Sequence, residues 1–172
     1  MSTPDIVIPA PGDYRIDHGN SSITFTTRHL FGLAPVRGTF ALREGHIEVT
    51  DPVHESSATA TIAASSFHTG LSTRDGTVLS AQYLDAERHP DITFTSTALE
   101  RGDDAWVLRG SLTVRETTSA FDLTITGVSE SEGRLRITAT GTADRYAFGI
   151  TAMKGMTGRY LVLTADLVAT SR

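Results

Sequence analysis

The chain predicts an all-β, antiparallel domain interrupted by one short helix. Apolar and polar residues alternate with period two along most of its length. The most regular run is Ser57 to Ala64, where Ala58, Ala60, Ile62 and Ala64 share one face and Thr59, Thr61 and Ala63 the other. Such alternation with β-branched threonine marks strands with two distinct faces. Polar turn signals recur at short intervals between these runs, as in sandwiches and barrels. Only Ser65 to Pro90 abandons the pattern. Composition does not separate a sandwich from a barrel, although closure into a barrel removes the sheet edges. At 172 residues the chain forms one domain, long enough to bury a core.

The first twelve residues hold three prolines and one apolar run, Ile6-Val7-Ile8, and read as a flexible N-terminal arm before a domain at 13–170. Tyr14 and Ile16 begin the first strand. In the second, Ile23, Phe25 and Thr27 alternate with Thr24, Thr26 and Arg28. Phe31 to Pro35 is a turn, and Val36 to Leu42 returns as the third strand. Glu44-Gly45 reads as a turn into His46–Val49, which Asp51-Pro52 breaks. Beyond Ser57–Ala64 and the helical stretch, Ile92, Phe94, Ser96 and Ala98 alternate with Thr93, Thr95 and Thr97. Gly102-Asp103-Asp104 is a hairpin turn. Trp106–Val114 and Ser119–Gly127 form the next pair, and Ser129–Gly133 is another polar turn. Leu135, Ile137 and Ala139 then share a face, and the last strand sets Leu161, Leu163, Ala165 and Leu167 against Val162, Thr164, Asp166 and Val168.

Inside Ser65–Pro90, Ser72 and Asp75 match a capping box. Val78, Leu79 and Tyr83 fall near one face of a short helix over Ser72–Leu84. Pro90 forbids its continuation and biases His89 toward an extended backbone. The order Ser65, Thr69, Arg74-Asp75, Ser80, Asp85, Pro90, Phe94, Ser96 resembles the central signature of the YceI family. Ile16-Asp17, Ser22 to Phe25, His29 and Val36 to Phe40 extend the resemblance upstream. Gly110 to Val114, Thr118, Asp144-Arg145 and Phe148 to Ile150 extend it downstream. Thr77, where many relatives have histidine, Tyr83-Leu84, where two phenylalanines are common, and Glu116 in place of a glycine depart from the pattern. The resemblance implies a lipocalin-like β-barrel of about eight strands, with the helix closing one end.

Composition excludes several functions. A net charge of −5 offers no footprint for nucleic acid, and the absence of cysteine removes thiolate metal sites and cysteine nucleophiles. The start lacks the basic residues and apolar core of a secretory signal, and no run approaches the ~20 apolar residues of a membrane helix, so the expectation is a cytoplasmic, non-spanning protein. None of the six histidines stands one, three or four residues after another, so no strand-built metal site is expected. There is no Gly-x-Ser-x-Gly elbow, phosphate loop or dinucleotide fingerprint. Lys154 to Arg159 reads as a loop or hairpin before the last strand. Arg74-Asp75 reads as helix initiation, with Arg74 on a strand carboxylate, or else as a headgroup contact. Asp144-Arg145 reads as a buried or rim ion pair.

The resemblance turns the inward faces into a lumen. It implies an amphiphilic polyisoprenoid lipid, such as an isoprenoid quinone or polyprenyl compound, stored or transported without catalysis and with no other cofactor. The implied lumen is Phe25, Phe40, Ala60, Ile62, Leu79, Tyr83, Phe94, Leu112, Phe121, Leu123 and Phe148. His29, Arg74, Asp75 and Arg145 are the implied headgroup or rim residues, and a homodimer is implied with them. Two other readings fit the residues alone: an enzyme acting on a small hydrophobic substrate through a histidine or the Arg-Asp pair, and a packed, stress-linked interaction protein.

Overall fold

Threonine and small apolar residues in alternation produce long two-faced strands, and these close on themselves. The computed structural model describes residues 6–29, 32–103 and 105–172, with His29 described by its backbone alone. The strands are β1 (Gly12–Ile16), β2 (Ser22–His29), β3 (Ala34–Val49), β4 (Ser57–His68), β5 (Asp91–Arg101), β6 (Trp106–Val114), β7 (Thr117–Ala120), β8 (Leu123–Ser131), β9 (Arg134–Asp144) and β10 (Tyr160–Ser171). All pair antiparallel in the order β2-β3-β4-β5-β6-β8-β9-β10, and β10 returns to β2, which closes a ring of eight strands. β1 lies against both β10 and β3, and β7 lies against β6. The expected barrel is therefore present. Between β8 and β9 the turn narrows to Glu132-Gly133, both at positive φ (53° and 76°), the backbone a two-residue hairpin favours.

Three irregularities depart from simple alternation. Glu44-Gly45 is not a turn; β3 runs through it, with a register shift against β4 between Leu42 and Glu44. Gly45 is there because Ile16 of β1 crosses it: a Cβ at Gly45 would stand 2.5 Å from Ile16 Cδ1. In β5 a shift between Ser96 and Ala98 reverses the faces, so Leu99 turns inward and Ala98 is exposed, while Ser96 Oγ accepts the Ala58 N–H at 2.8 Å. The expected Ser119–Gly127 strand is split into β7 and β8 at Phe121-Asp122, where the Phe121 N–H donates to the Gly110 carbonyl at 2.9 Å.

The helix α1 (Ser72–Leu79) is shorter than expected. The chain folds back after it, with the Leu84 N–H on the Val78 carbonyl and the Asp85 N–H on Ser80. Tyr83 is therefore buried from a turn rather than from a helix face. Ser72 caps nothing, because Leu71 holds the N-cap position and Asp75 reaches back to Thr69 instead.

From Ile6 onward the N-terminal arm is bonded to the barrel. Ile6 bridges Val128, the Val7 N–H donates to the Val128 carbonyl at 2.9 Å, and the Ala10 N–H donates to Glu130 at 2.9 Å. Ile6 thus lies against the end of β8, while Val7 and Ile8 stay about half exposed.

Two apolar clusters fill the barrel. One, toward α1, is built around Tyr83, Phe94, Phe121, Phe148 and Ile150; the other, toward the arm, around Tyr14, Ile16, Leu42, Ile47 and Leu135. Ala60 and Ile62 of β4 pack against both.

Candidate functional site: an apolar barrel cavity

Between the two clusters the inward faces leave a cavity of about 280 Å³. That is close to the lower end of the range for small-molecule sites, and an eight-stranded barrel has room for one small ligand. Of the residues expected in a lumen, Phe40, Ala60, Ile62, Phe94, Leu112, Phe121, Leu123 and Phe148 line it. Phe25, Leu79 and Tyr83 are not among the lining residues. Phe25 stacks on Phe67 with centroids 5.1 Å apart and meets Phe40 at 5.5 Å, forming an aromatic plug. Leu79 packs beneath the cluster toward α1, and the Tyr83 hydroxyl bonds Thr157 Oγ1 at 2.8 Å. These three therefore pack behind the lining rather than in it.

Sequence reasoning missed Phe67, Leu84, Trp106 and Ile6 to Pro9, of which all but Phe67 line the cavity. Trp106 and Leu108 carried a legible signal, the alternation of β6 around Val107, and Ile6-Val7-Ile8 an unexplained apolar run. Phe67 carried none. It follows a break in the β3–β4 register, where pairing passes from Ala41–Ala63 to Thr39–His68.

Charge is almost absent from the lining. Among the described residues Arg145 is its one charged residue, and Ser56, Ser57 and Thr59 at the start of β4 are its other polar side chains. Arg145 was expected to pair with Asp144. β9 ends at Asp144 and Arg145 opens a short 3-10 turn, Arg145–Phe148, so the two side chains part. Asp144 turns outward to take both arms of Arg159 at 2.9 Å each. Those bonds, against a smaller opposing effect of burial, hold its carboxyl below the usual range. Arg145 turns inward, 6% exposed, and donates to the carbonyls of Gly158 (2.8 Å), Ile150 (2.8 Å) and Thr157 (3.2 Å). It thereby ties residues 150–158 across the α1 end, which include most of Lys154–Arg159, the stretch read as a loop or hairpin before the last strand.

Arg74 and Asp75 lie outside the cavity, at the start of α1. Arg74 meets no strand carboxylate among the described residues; its Nε donates to Thr69 Oγ1 at 2.8 Å. Asp75 accepts the Thr69 hydroxyl and N–H and faces His68 Nδ1 at 3.5 Å. Burial pushes the Asp75 carboxyl up, but the Thr69 bonds with His68 and Arg74 outweigh it and leave it lowered. A lowered folded pKa gives stability that is present above the unfolded value near ~3.9 and lost as pH falls through the folded one. Asp75→Ala should therefore cost about 1.5–3 kcal/mol above pH ~5 and progressively less in acid, measured by thermal unfolding across pH. A penalty that does not shrink in acid would refute the charged clasp. The His29 side chain lies outside the described residues. Among the described residues no three His, Asp or Glu side chains gather as metal ligands, and no helix is long and apolar enough to cross a membrane.

Comparison with known proteins agrees with this architecture. Burkholderia cenocepacia BcnA superposes with a TM-score of 0.78 at 20% identity, over 90% of this chain and 99% of that one. A polyisoprenoid binding domain from Saccharophagus degradans, implicated in plant cell wall breakdown, superposes at 0.70 and 13% identity, over 92% and 98%. Protein YceI of Escherichia coli O157:H7 is 30% identical over 115 residues, which are 64% of this chain and 59% of that protein. The chain thus spans less than two thirds of the length of the curated relatives it matches. The family model of the YceI-like domain matches residues 14–169, nearly the whole ring of strands, and the chain belongs to the YceI family.

Proposed function

We propose that the protein binds an amphiphilic lipid with a polyisoprenoid tail, an isoprenoid quinone or polyprenyl compound, and stores or carries it without altering it. The observation that supports this reading is the apolar cavity itself, about 280 Å³ with a single charged residue in its lining among the described residues. A prenyl tail in water exposes apolar surface, and transfer into such a lining gains roughly 25 cal/mol per Å² buried. Phe40, Ala60, Ile62, Phe94, Leu112, Phe121, Leu123 and Phe148 are the tail contacts. Neither a histidine nor a carboxylate lines the cavity among the described residues, which favours binding over acid–base catalysis. The Saccharophagus neighbour adds a precedent at the level of the fold.

Native mass spectrometry of gently purified protein tests the reading. The expected result is a mass increment that organic extraction removes and that proves to be a prenyl lipid. Protein that is lipid-free as purified, and that takes up no prenyl lipid when challenged, would exclude the carrier role.

A further inference from the structure

Among the described residues, the one charge in the cavity lining lies at its α1 end. Arg145 is 6% exposed, and the centre of its guanidinium is 5.8 Å from the Tyr83 ring, on the α1 side. The opposite end is lined by Ile6 to Pro9, Val53 and Trp106. A guanidinium carries five N–H donors, and three of them find acceptors among the described residues, all backbone carbonyls. No carboxylate stands within ion-pair distance of it there, since Asp144 is committed to Arg159. The Tyr83 and Tyr146 rings, 5.8 and 5.0 Å from the guanidinium centre, offset part of the cost of burying this cation, and an oxyanion would offset more, since charge-assisted bonds to an oxyanion are the strong ones.

We infer that the cavity takes its ligand head first, and that the head is acidic: a carboxylate or a phosphate monoester against Arg145, with the tail running toward Ile6–Pro9 and Trp106. This rests on the lipid-cavity reading and narrows it. Neutral prenols and quinones become the weaker ligands, and the hydroxyls of Ser56, Ser57 and Thr59 at the other end are left to the tail's exit.

Trp106 is the chain's single tryptophan and lines the end opposite Arg145, so its fluorescence reports which end of a ligand arrives there. The full-length chain, stripped of lipid, is titrated with dodecanoic acid brominated either at the terminal carbon or beside the carboxyl, and with the terminally brominated alcohol. Bromine quenches tryptophan at contact. Head-first binding predicts strong quenching by the terminally brominated acid and little by its isomer, although both displace the same reporter lipid. The alcohol should bind about tenfold more weakly than the acid. Competition by geranylgeranyl phosphate against dodecanoate then shows whether phosphate or carboxylate is preferred.

Arg145→Gln should erase the preference for acid over alcohol. That variant is read only if its unfolding curve shows a folded barrel, because Arg145 also holds residues 150–158; the wild-type quenching pair stands without it. Equal affinity for acid and alcohol, or stronger quenching by the isomer brominated beside the carboxyl, overturns this inference and leaves the lipid reading intact. Failure of every amphiphile to bind, geranylgeraniol included, overturns both.

Discussion

Replacing Ala60 with tryptophan is expected to abolish prenyl-lipid uptake while leaving the barrel folded. Ala60 pairs with Gly45 on one side and Phe94 on the other, lines the cavity, and packs against both apolar clusters. It therefore stands at the junction of the two clusters, where the space is empty rather than filled. An indole there occupies volume a tail would use, and it need displace little. In a solid core the same change would overpack, at a cost of ~1–3 kcal/mol or more. The two cases separate when lipid binding and thermal unfolding are measured on the same variant. Lost binding with a nearly unchanged melting temperature supports the cavity as the lipid site. Strong destabilisation, with a parent protein that binds no lipid either, would show a barrel packed solid.

The parts of this molecule that were legible in its sequence are those decided by neighbours along the chain. The faces of β4 were plain because Ala58, Ala60 and Ile62 differ so sharply from Thr59 and Thr61, and the face assignment of Phe94 followed from the same local rule. What stayed hidden was decided by contacts between distant strands. Glu44-Gly45 has the composition of a turn, and only the passage of Ile16 over Gly45 shows that the glycine serves a close approach within a continuous strand. Phe67 reaches the plug because the β3–β4 register slips ahead of it, and no pattern marks the slip. Asp144 and Arg145 looked like a pair because they adjoin, yet the chain leaves β9 for a 3-10 turn between them, which parts their side chains. Leu79 and Tyr83 were expected in the lumen, but neither is among the lining residues, because where they sit depends on how α1 docks. The cavity is harder still, since it is the volume left when residues from many strands have been placed.

Gly110→Ala should destabilise the barrel by about 1–3 kcal/mol and lower the melting temperature by several degrees. Gly110 lies buried in β6 with no positive φ, so its backbone would accept alanine; the obstacle is steric. A Cβ there would stand 2.3 Å from Phe94 Cε2 and 2.9 Å from the Thr95 carbonyl oxygen. The Phe94 ring covers the bare glycine from the neighbouring strand, as aromatic residues commonly do in sheets. That ring is also locked from its other side, edge-on to Phe121 with centroids 6.2 Å apart, and both rings line the cavity. Pushing it aside therefore disturbs the packing and the binding space together. A double-mutant cycle with Phe94→Leu identifies which contact matters. If the ring is the obstacle, alanine at position 110 costs much less once leucine has replaced Phe94, and the coupling is large. If the two penalties simply add, the rigid Thr95 carbonyl is the obstacle, and the aromatic cover over Gly110 has no part in holding β5 and β6 at their present spacing.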